Sequence, residues 1–244
     1  MNQPRIAVVT GAAGGLGRAF VDRLLADGLT VVGVDIDGAA LVAMAADREG
    51  LVAEAVDLTD PDAIADLFDR LTTRFGGVDA LVNNAGTCFM SDFPEIPAAE
   101  LDRQMQINFH SAFHCCQQAV KAMAGRGGVR KIVNISSNGA YNFDVFDPPH
   151  YRASKAAMDA LTKDLARRYA TEKIAVNSIA PAMTETPLFN LLSDEVLAKA
   201  ISAMPHGHAM RPEEIAAWVG FLISPAGDVS SGNVIILNQG RDVR

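Results

Sequence analysis

Tyr151 and Lys155, four residues apart, are the pair in this sequence best suited to move a proton. Residues i and i+4 lie on one face of a helix, so the phenol and the ammonium would point the same way. A free tyrosine has a pKa of about 10 and is a poor base at pH 7, but a nearby positive charge favours its phenolate. Taken alone, such a pair is more often an ordinary surface pair, so its interpretation depends on the rest of the chain.

An apolar run that ends in two hydroxyl residues precedes this pair. Ile132, Val133 and Ile135 are typical of a strand buried on both faces, and Ser136 and Ser137 follow directly. A strand that ends there could deliver either serine to the tyrosine. The stretch therefore predicts a proton-transfer site, and the remaining motifs must indicate what it acts on.

A glycine-rich loop follows the first apolar run of the chain, residues 5–10. It reads Thr10-Gly11-Ala-Ala-Gly-Gly15-Leu-Gly17 and leads into helical apolar spacing. Glycines let the backbone turn tightly and approach a ligand, and the N–H groups at the start of the next helix favour a pyrophosphate. The spacing is G-x3-G-x-G rather than the common G-x-G-x-x-G. On its own the motif is weak, and a glycine-rich turn without a ligand remains the alternative.

Asp35 strengthens the prediction of a dinucleotide site. It ends the second apolar run, residues 30–35, 18 residues after Gly17. A carboxylate at about this distance binds the ribose 2′-hydroxyl and would repel a 2′-phosphate. Asp37 adds to that repulsion, and no Arg or Lys lies between Gly28 and Asp47. The sequence therefore favours NAD over NADP, against the alternative that Asp35 is a solvated acid at a strand end.

Strand and helix patterns alternate about seven times along the chain. Predicted strands cover 5–10, 30–35, 51–56, 79–82, 132–135, 174–179 and 233–237, and predicted helices cover 18–26, 60–75, 98–124, 151–170 and 212–223. This alternation predicts an α/β fold, a doubly wound parallel sheet of about seven strands in a three-layer α/β/α arrangement. We expect one domain, residues 1–244, with a segment at about 183–211 that interrupts the alternation and acts as a substrate lid.

Composition limits the class of protein. The net charge of −8 and the pI of about 5.1 disfavour a nucleic-acid binder. No apolar run reaches the length of a membrane span, and strand-like sequence begins too early for a signal peptide. Three cysteines do not make a disulfide framework, which fits a reducing cytoplasm. We therefore expect a cytoplasmic protein that contacts neither nucleic acid nor membrane.

Four motifs in order reveal a family resemblance. They are the loop from Thr10 to Gly17, Asn83-Asn84-Ala85-Gly86, Ile135-Ser136-Ser137, and Tyr151-x3-Lys155. With these motifs the chain resembles the single-domain branch of the short-chain dehydrogenase/reductase family over nearly its whole length. Each motif is weak alone, but four at matching spacing are specific. The resemblance implies a seven-stranded Rossmann-like sheet and hydride transfer between a nicotinamide cofactor and an alcohol or carbonyl.

The resemblance also implies roles for individual residues. Tyr151 would be the acid/base, Lys155 its partner and a ribose ligand, Ser137 a donor to the substrate oxygen, and Asn108 the anchor of a water chain to the lysine. The implied cofactor-binding residues are Gly11, Gly15, Leu16, Gly17, Asp35, Ile36, Asp57, Leu58, Asn84, Ala85, Gly86, Tyr151, Lys155, Pro181, Thr184 and Thr186. The helices over 98–124 and 151–170 form a dimer face in this family, which implies a homotetramer.

The substrate pocket is predicted from three apolar stretches, the loop 138–150, the lid, and residues 88–90. The candidate substrate residues are Ser137, Asn138, Phe89, Phe143, His150 and Leu188. Asp144, Asp147 and His150 could bind a polyol or a cation, although solvated loop residues are the commoner interpretation. His110 and His114 have helical i,i+4 spacing but no third ligand motif, so we expect no metal.

Three places depart from the family pattern: Ala182, the end of the last strand, and the loop from Ser137 to Tyr151, which is about a residue longer than is common. Ala182 follows the proline of the sixth strand where glycine is common, which is tolerable unless the backbone needs a positive φ. The last strand ends in Asn238-Gln239-Gly240 rather than Asp-Gly-Gly. The second departure puts the C-terminal turn, and any subunit contact it makes, in doubt.

The sequence thus predicts an NAD-dependent dehydrogenase of a small secondary alcohol, or a carbonyl reductase in the reverse direction. One alternative is a 3-oxoacyl-thioester (acyl carrier protein) reductase, which usually pairs with NADPH and a basic docking patch. Another is a binding protein that kept the fold and lost catalysis, although the intact serine, tyrosine and lysine argue against it. The sequence does not name the substrate, its stereochemistry or the physiological direction.

Overall fold

Seven parallel strands form one sheet at the centre of the computed structural model, which describes residues 5–142 and 147–242. The strands are β1 (Ile6–Thr10), β2 (Thr30–Asp35), β3 (Leu51–Ala55), β4 (Ala80–Asn83), β5 (Arg130–Ile135), β6 (Ile174–Pro181) and β7 (Val234–Leu237). They lie in the order β3-β2-β1-β4-β5-β6-β7. Every residue of β1 and β6 is buried, as near-continuous apolar strands require. The predicted fold class, a doubly wound Rossmann-like sheet, is confirmed.

Helices cover both faces of this sheet. They are α1 (Gly15–Ala26), α2 (Gly38–Ala46), α3 (Pro61–Phe75), α4 (Ala98–Met105), α5 (Ser111–Met123), α6 (Pro149–Arg168), α7 (Asp194–Ser202) and α8 (Pro212–Ile223). Alternate residues of β1 divide between two apolar clusters, Ala7 and Val9 in one and Ile6 and Val8 in the other. In the described part of the chain no helix combines the length and apolarity that crossing a membrane would take.

The helix predicted over 98–124 is two helices joined by a π-helical turn, Gln106–His110. A π turn holds one extra residue and is common at functional sites. Asn108 lies within this turn and is fully buried. Its amide bonds to the chain at Thr87 and to Ser154 on α6, contacts that no periodicity along 98–124 could reveal.

Two helices were absent from the sequence prediction. The first, α2, begins after Asp37, whose carboxylate accepts a hydrogen bond from the N–H of Ala40 at 2.9 Å. The second, α7, begins after Ser193, whose hydroxyl accepts from the N–H of Val196. Asp37 was interpreted as a second acid that repels phosphate, and the structure shows that it also caps a helix.

The turn between β1 and α1 depends on Gly17. A Cβ added there would lie 2.0 Å from the carbonyl oxygen of Gly11 and 2.8 Å from Cα of Ala12, so the helix start and the loop could not keep their approach. A Cβ added at Gly14 in the same loop would stay 3.4 Å from that oxygen. The two glycines therefore make a matched pair for a stability test.

We predict that Gly17→Ala destabilises the fold and that Gly14→Ala does so much less. Overpacking against rigid backbone costs roughly 1–3 kcal/mol, and at this chain length each kcal/mol lowers Tm by roughly 2–4 °C. Thermal unfolding followed by circular dichroism measures both variants. Equal melting temperatures for the two variants would contradict the proposed packing.

Candidate active site

A cavity of about 680 Å³ runs along the carboxyl ends of the strands. This edge of an open parallel sheet is where ligands bind in α/β folds. The cavity walls come from the loops after each of the strands β1 to β6, so residues far apart in sequence meet there. Gly11, Asp35, Asn84, Ser137 and Tyr151 all line it.

The glycine loop is held open by the residues that follow β4. The side-chain amide of Asn84 donates to the carbonyl oxygens of Thr10 and Gly11, each at 3.0 Å. The hydroxyl of Thr10 accepts from the N–H groups of Asn84 and Ala85 at 2.9 and 3.0 Å. Gly11 has a φ of +63°, and a Cβ there would lie 2.9 Å from Cα of Ala85. The loop and the Asn84 segment thus fix each other beside the start of α1.

Asp35 lies at the other side of this loop. Its carboxylate accepts hydrogen bonds from the N–H groups of Ala13 at 3.0 Å and Asp37 at 3.1 Å, one on each oxygen. Each oxygen keeps further capacity to accept a hydrogen bond from a ligand. Asp35 and the exposed Ile36 line the cavity, so this end presents a negative charge and an apolar side chain.

Asp57 and Leu58 line the same end of the cavity, after β3. The backbone N–H and the hydroxyl of Thr59 both donate to the Asp57 carboxylate, at 2.9 and 2.7 Å. These bonds lower the pKa of Asp57, which therefore stays ionised. The carboxylate closes its own turn and helps to shape this wall of the cavity.

Lys155 is buried at the opposite end. Its ammonium donates to the carbonyl oxygen of Ile135 at 2.8 Å and lies 5.9 Å from the centre of the Tyr151 ring. Burial lowers the pKa of Lys155 to about 8, and the negative charge of Asp159 opposes this shift. The two side chains project from one face of α6, as their i,i+4 spacing predicted.

Tyr151 behaves differently from the sequence expectation. Burial raises the pKa of its phenol, the charge of Asp147 raises it further, and a hydrogen bond with Ser137 opposes both. For the polypeptide alone the pKa is thus raised, and the lowering expected from Lys155 together with a positive nicotinamide ring stays a prediction. The sequence gave no measure of burial, and it did not place Asp147 beside the phenol.

The structure separates the roles of the two serines. Ser137 is within hydrogen-bonding reach of Tyr151, and its hydroxyl also accepts from the N–H of Gly139 at 3.0 Å. Ser136 instead donates to the Asp159 carboxylate at 2.9 Å and to the carbonyl oxygen of Lys155 at 3.2 Å. Ser137 is therefore the serine available to a substrate beside Tyr151.

Asp159 is a buried residue of this site that the sequence analysis missed. Its carboxylate accepts hydrogen bonds from the hydroxyls of Ser136 at 2.9 Å, Tyr141 at 2.8 Å and Ser178 at 2.6 Å. It thereby ties α6 to β5, β6 and the loop that begins at residue 138. Its position four residues after Lys155, on the same helical face, was the signal that could have identified it.

Asn108 lies behind Tyr151 and Lys155 and outside the cavity wall. Its carbonyl oxygen accepts from the N–H of Thr87 at 2.8 Å, and its amide donates to Thr87 O at 2.9 Å and to the Ser154 hydroxyl at 3.0 Å. These bonds fix the strand β4 extension against α6. The predicted water chain from Asn108 to Lys155 stays a prediction.

The predicted substrate residues divide into two groups. Ser137 and Asn138 line the cavity, and the Asn138 amide donates to the Asp242 carboxylate at 3.0 Å. His150 is absent from the wall because it is buried against Glu100, with Nε2 at 3.2 Å from a carboxylate oxygen. Its assignment as a substrate residue is therefore not supported by its position.

The cavity wall predicted at Phe89 is formed by the side chains of its two neighbours in sequence. Cys88 and Met90 line the cavity, whereas the Phe89 side chain does not. Phe143 lies outside the described residues, and so does the side chain of Leu188. Residues 88–90 thus contribute a wall as predicted, through the two flanking side chains.

The predicted lid is anchored at both of its ends. Thr184 and Met210 form an isolated parallel β-bridge, which closes the base of the segment 183–211. Between them, Thr186, Pro187, Phe189 and Leu192 line the cavity, together with Pro181, Ala182, Met183 and Thr184 at the base. Ala182 has no positive φ, so the missing glycine places no strain there.

The C-terminal turn shows how the second departure is accommodated. Gln239 has a φ of +59°, a left-handed conformation that costs energy for a residue with a Cβ. Its side chain accepts from the N–H of His206 at 3.0 Å and donates to the carbonyl oxygen of His208 at 3.1 Å. Gln239 therefore connects the turn to the end of the lid, a contact that glycine could not make.

Sequence and structure comparisons now decide the family. The sequence model of a family described as enoyl-(acyl carrier protein) reductase matches residues 11–242. A cis-4-hydroxycyclohexanecarboxylate dehydrogenase of Sinomonas cyclohexanicum is 37% identical over 245 residues, 97% of this chain and 96% of that protein. The chain belongs to the short-chain dehydrogenase/reductase family. It is therefore an oxidoreductase by family.

Two further relatives show the breadth of this family. The 3-oxoacyl-[acyl-carrier-protein] reductase FabG of Thermotoga maritima is 31% identical over 244 residues, 97% of each chain. The structure of a 3-ketoacyl-(acyl-carrier-protein) reductase from Brucella melitensis complexed with NADH superimposes with a TM-score of 0.90. Its identity is 26%, and 98% of each chain is covered. Short-chain dehydrogenases thus share this fold while acting on different substrates.

The cavity fits the nicotinamide cofactor that short-chain dehydrogenases use. Gly11, Gly14 and Gly15 leave room at the start of α1, where backbone N–H groups favour phosphate. Asp35 at one end and Lys155 at the other supply groups that hydrogen-bond to ribose hydroxyls. Along the cavity, Asp35, the glycine loop and Lys155 follow one another in the order in which a dinucleotide presents a ribose, the phosphates and the second ribose.

Burial of Lys155 predicts a pH-dependent stability. Its folded pKa of about 8 lies below its unfolded value, so the unfolded chain holds more protons above pH 8. The burial cost is therefore present below pH 8 and is relieved as pH rises. Relative to Lys155→Met, the wild type should gain stability from pH 7 to pH 10, by up to roughly 3 kcal/mol.

Urea unfolding at several pH values measures this difference. Lys163→Met is the matched control, because Lys163 is exposed on the same helix and has no burial cost to relieve. A wild-type to Lys155→Met difference that stays constant from pH 7 to pH 10 would refute the lowered pKa.

Proposed function

We propose that this protein is an NAD-dependent dehydrogenase that oxidises a secondary alcohol to a ketone and catalyses the reverse reduction. The supporting observation is the grouping of Ser137, Tyr151 and Lys155 at one end of a cavity that is shaped for a dinucleotide. Such a grouping of a donor, an acid/base and a cation is what an alcohol needs when its proton and its hydride leave together.

Each of the three side chains has a distinct role in this proposal. Ser137 donates a hydrogen bond to the substrate oxygen and sets its distance from the phenol. Tyr151 takes the hydroxyl proton in oxidation and returns it in reduction. Lys155, through its positive charge, favours the phenolate form. The bound nicotinamide supplies the hydride acceptor or donor.

The raised pKa of Tyr151 affects which direction of the reaction, reduction or oxidation, is favoured at neutral pH. At neutral pH the phenol of the polypeptide carries its proton, since burial and Asp147 both disfavour the phenolate. It is then ready to protonate a ketone oxygen, whereas alcohol oxidation first requires its deprotonation. Oxidation should therefore become faster as pH rises, up to the pH at which Lys155 loses its charge.

The preference for NAD is supported by Asp35. Its carboxylate is fixed by two backbone N–H groups at the cavity wall, where it can accept from a ribose hydroxyl and would repel a phosphate. No cation lies between Gly28 and Asp47 to balance that charge. The homotetramer implied by the family stays a prediction.

The relatives favour a second candidate, reduction of a 3-oxoacyl thioester. The Thermotoga protein carries this activity in its name, and the matching family model names the same type of carrier, as an enoyl-(acyl carrier protein) reductase. A carrier protein is acidic, so a net charge of −8 and Asp35 argue against such a partner and against NADPH. Activity with an acetoacetyl thioester and NADPH above that with any secondary alcohol would establish this alternative.

We predict that Tyr151→Phe abolishes turnover and leaves NADH binding unchanged. Phenylalanine keeps the ring and removes the proton-transferring hydroxyl, so kcat should fall by at least roughly 10²–10⁴-fold. The measurement is a dehydrogenase assay with NAD over sugars, aryl alcohols, hydroxy acids, diols and steroids, with NADH fluorescence for binding. Tyr169→Phe, at the end of the same helix, is the control. Near-wild-type activity of Tyr151→Phe would rule out the mechanism.

We predict that wild-type protein binds NAD much more tightly than NADP and that Asp35→Ser narrows the gap. Removing the carboxylate removes repulsion of the 2′-phosphate and a ribose hydrogen bond, together worth roughly tenfold or more in the ratio of the two Kd values. Calorimetric titration measures both Kd values, with the exposed Asp47→Ser as control. Equal affinities for NAD and NADP in the wild type would contradict this interpretation of Asp35.

A further inference from the structure

The carboxylate of Asp147 lies directly beside the catalytic serine. A Cβ placed on Gly139 would be 2.2 Å from Oδ2 of Asp147 and 3.2 Å from Oγ of Ser137, so both oxygen atoms lie close to the same point beside Gly139. Asp147 lines the cavity together with Ser137 and Tyr151. Its charge also reaches the phenol of Tyr151, where it is the largest influence on the pKa after burial. Asp147 is therefore in the part of the cavity where a substrate must lie.

The Asp147 carboxylate has no hydrogen-bond donor within residues 5–142 and 147–242. Arg152 is the nearest cation to it in sequence, but its Nε donates to the backbone oxygen of Asp147 at 2.7 Å. A half-buried carboxylate without a donor is costly, and burial accordingly raises the pKa of Asp147. Arg152 thus fixes the backbone of Asp147, and its charge opposes the effect of burial on the pKa of the carboxyl.

We propose that Asp147 determines substrate specificity by accepting a hydrogen bond from a second donor group on the substrate, within a few bonds of the reacting carbinol carbon. This inference rests on the proposed dehydrogenase function. The donor is a hydroxyl or an ammonium group, since both hydrogen-bond to a carboxylate. The substrate class is therefore a diol, a polyol or an amino alcohol.

The same geometry disfavours an acidic substituent near the reacting carbon. A substrate carboxylate there would lie close to Asp147, and like charges at short distance repel each other. Arg241 also lines the cavity and is one of the cations there that could attract such a substrate. Its Nε lies 3.9 Å from the Asp242 carboxylate, which already offsets part of its charge. The two groups thus favour opposite substrate classes, and a direct comparison decides between them.

Four compounds that differ in one substituent make this comparison. They are cyclohexanol, 1,2-cyclohexanediol, 2-aminocyclohexanol and 2-hydroxycyclohexanecarboxylate. For the wild type with NAD, kcat/KM for the diol or the amino alcohol should exceed that for cyclohexanol by roughly ten- to hundredfold, as a hydrogen bond to a charged group allows. The carboxylate should be the poorest of the four. Comparison of the amino alcohol with the diol shows whether the preferred hydrogen-bond donor is cationic or neutral.

The test variant is Asp147→Asn, which keeps the size of the side chain and removes its charge. The advantage of the diol or the amino alcohol over cyclohexanol should shrink at least tenfold, and the penalty on the carboxylate should shrink with it. Asp66→Asn, on the exposed face of α3, is the control and should keep the wild-type ranking. NADH affinity and melting temperature show whether each variant is folded.

Failure of this inference is distinguishable from failure of the proposed function. Turnover of cyclohexanol with equal or better turnover of the carboxylate would overturn the role of Asp147 and leave the dehydrogenase intact. A ranking unchanged in Asp147→Asn would overturn it as well. Absence of turnover with all four alcohols would instead count against the proposed function. Calorimetric titration of the four compounds into NAD-saturated protein gives the same ranking as Kd values, so the inference is tested in that case too.

Discussion

Burial of a charged lysine at the end of β5 is the constraint on which the rest of the site depends. Lys155 reaches the carbonyl oxygen of Ile135 from one turn below Tyr151, in surroundings that lower its pKa to about 8. A cation in this place needs compensating negative charge, and Asp159 supplies it. Asp159 also holds the hydroxyls of Ser136, Tyr141 and Ser178, so the group that balances the lysine organises the strand ends and the substrate loop. The Asp159 carboxylate therefore both balances the charge of Lys155 and holds the loop in position.

The two ends of the cavity provide different electrostatic surroundings. At the glycine loop, backbone N–H groups and missing side chains provide the positive field and the room that phosphates need, while Asp35 adds one fixed negative charge. At the Tyr151 end, burial and the charge of Asp147 raise the pKa of the phenol, and the hydrogen bond with Ser137 opposes them. In the proposed reaction, a phenol held between opposing influences can give and take a proton in both directions.

The Tyr151 end of the cavity is bordered by contacts between segments that are far apart in the sequence. The turn at Gln239 connects the lid with the C-terminus, and Asp242 holds the amides of Asn138 and Asn142. These contacts explain how the chain accommodates the loss of a glycine that the family usually has. Among the described residues, Asp147 lines the cavity beside Ser137 and Tyr151, which is the basis for proposing a role for it in specificity.

The sequence by itself determined the fold class, the glycine loop, the position of Asp35 and the pairing of Tyr151 with Lys155. Each of these depends on local periodicity or on short spacing, which a linear chain displays directly. The π turn at Asn108, the pairing of His150 with Glu100 and the separation of Ser136 from Ser137 depend on contacts between distant segments. So does the raised pKa of Tyr151, because burial is a property of the packed molecule. Tertiary structure alone showed that Asp147 meets the cavity beside Ser137 and Gly139, since no spacing along the chain relates these residues.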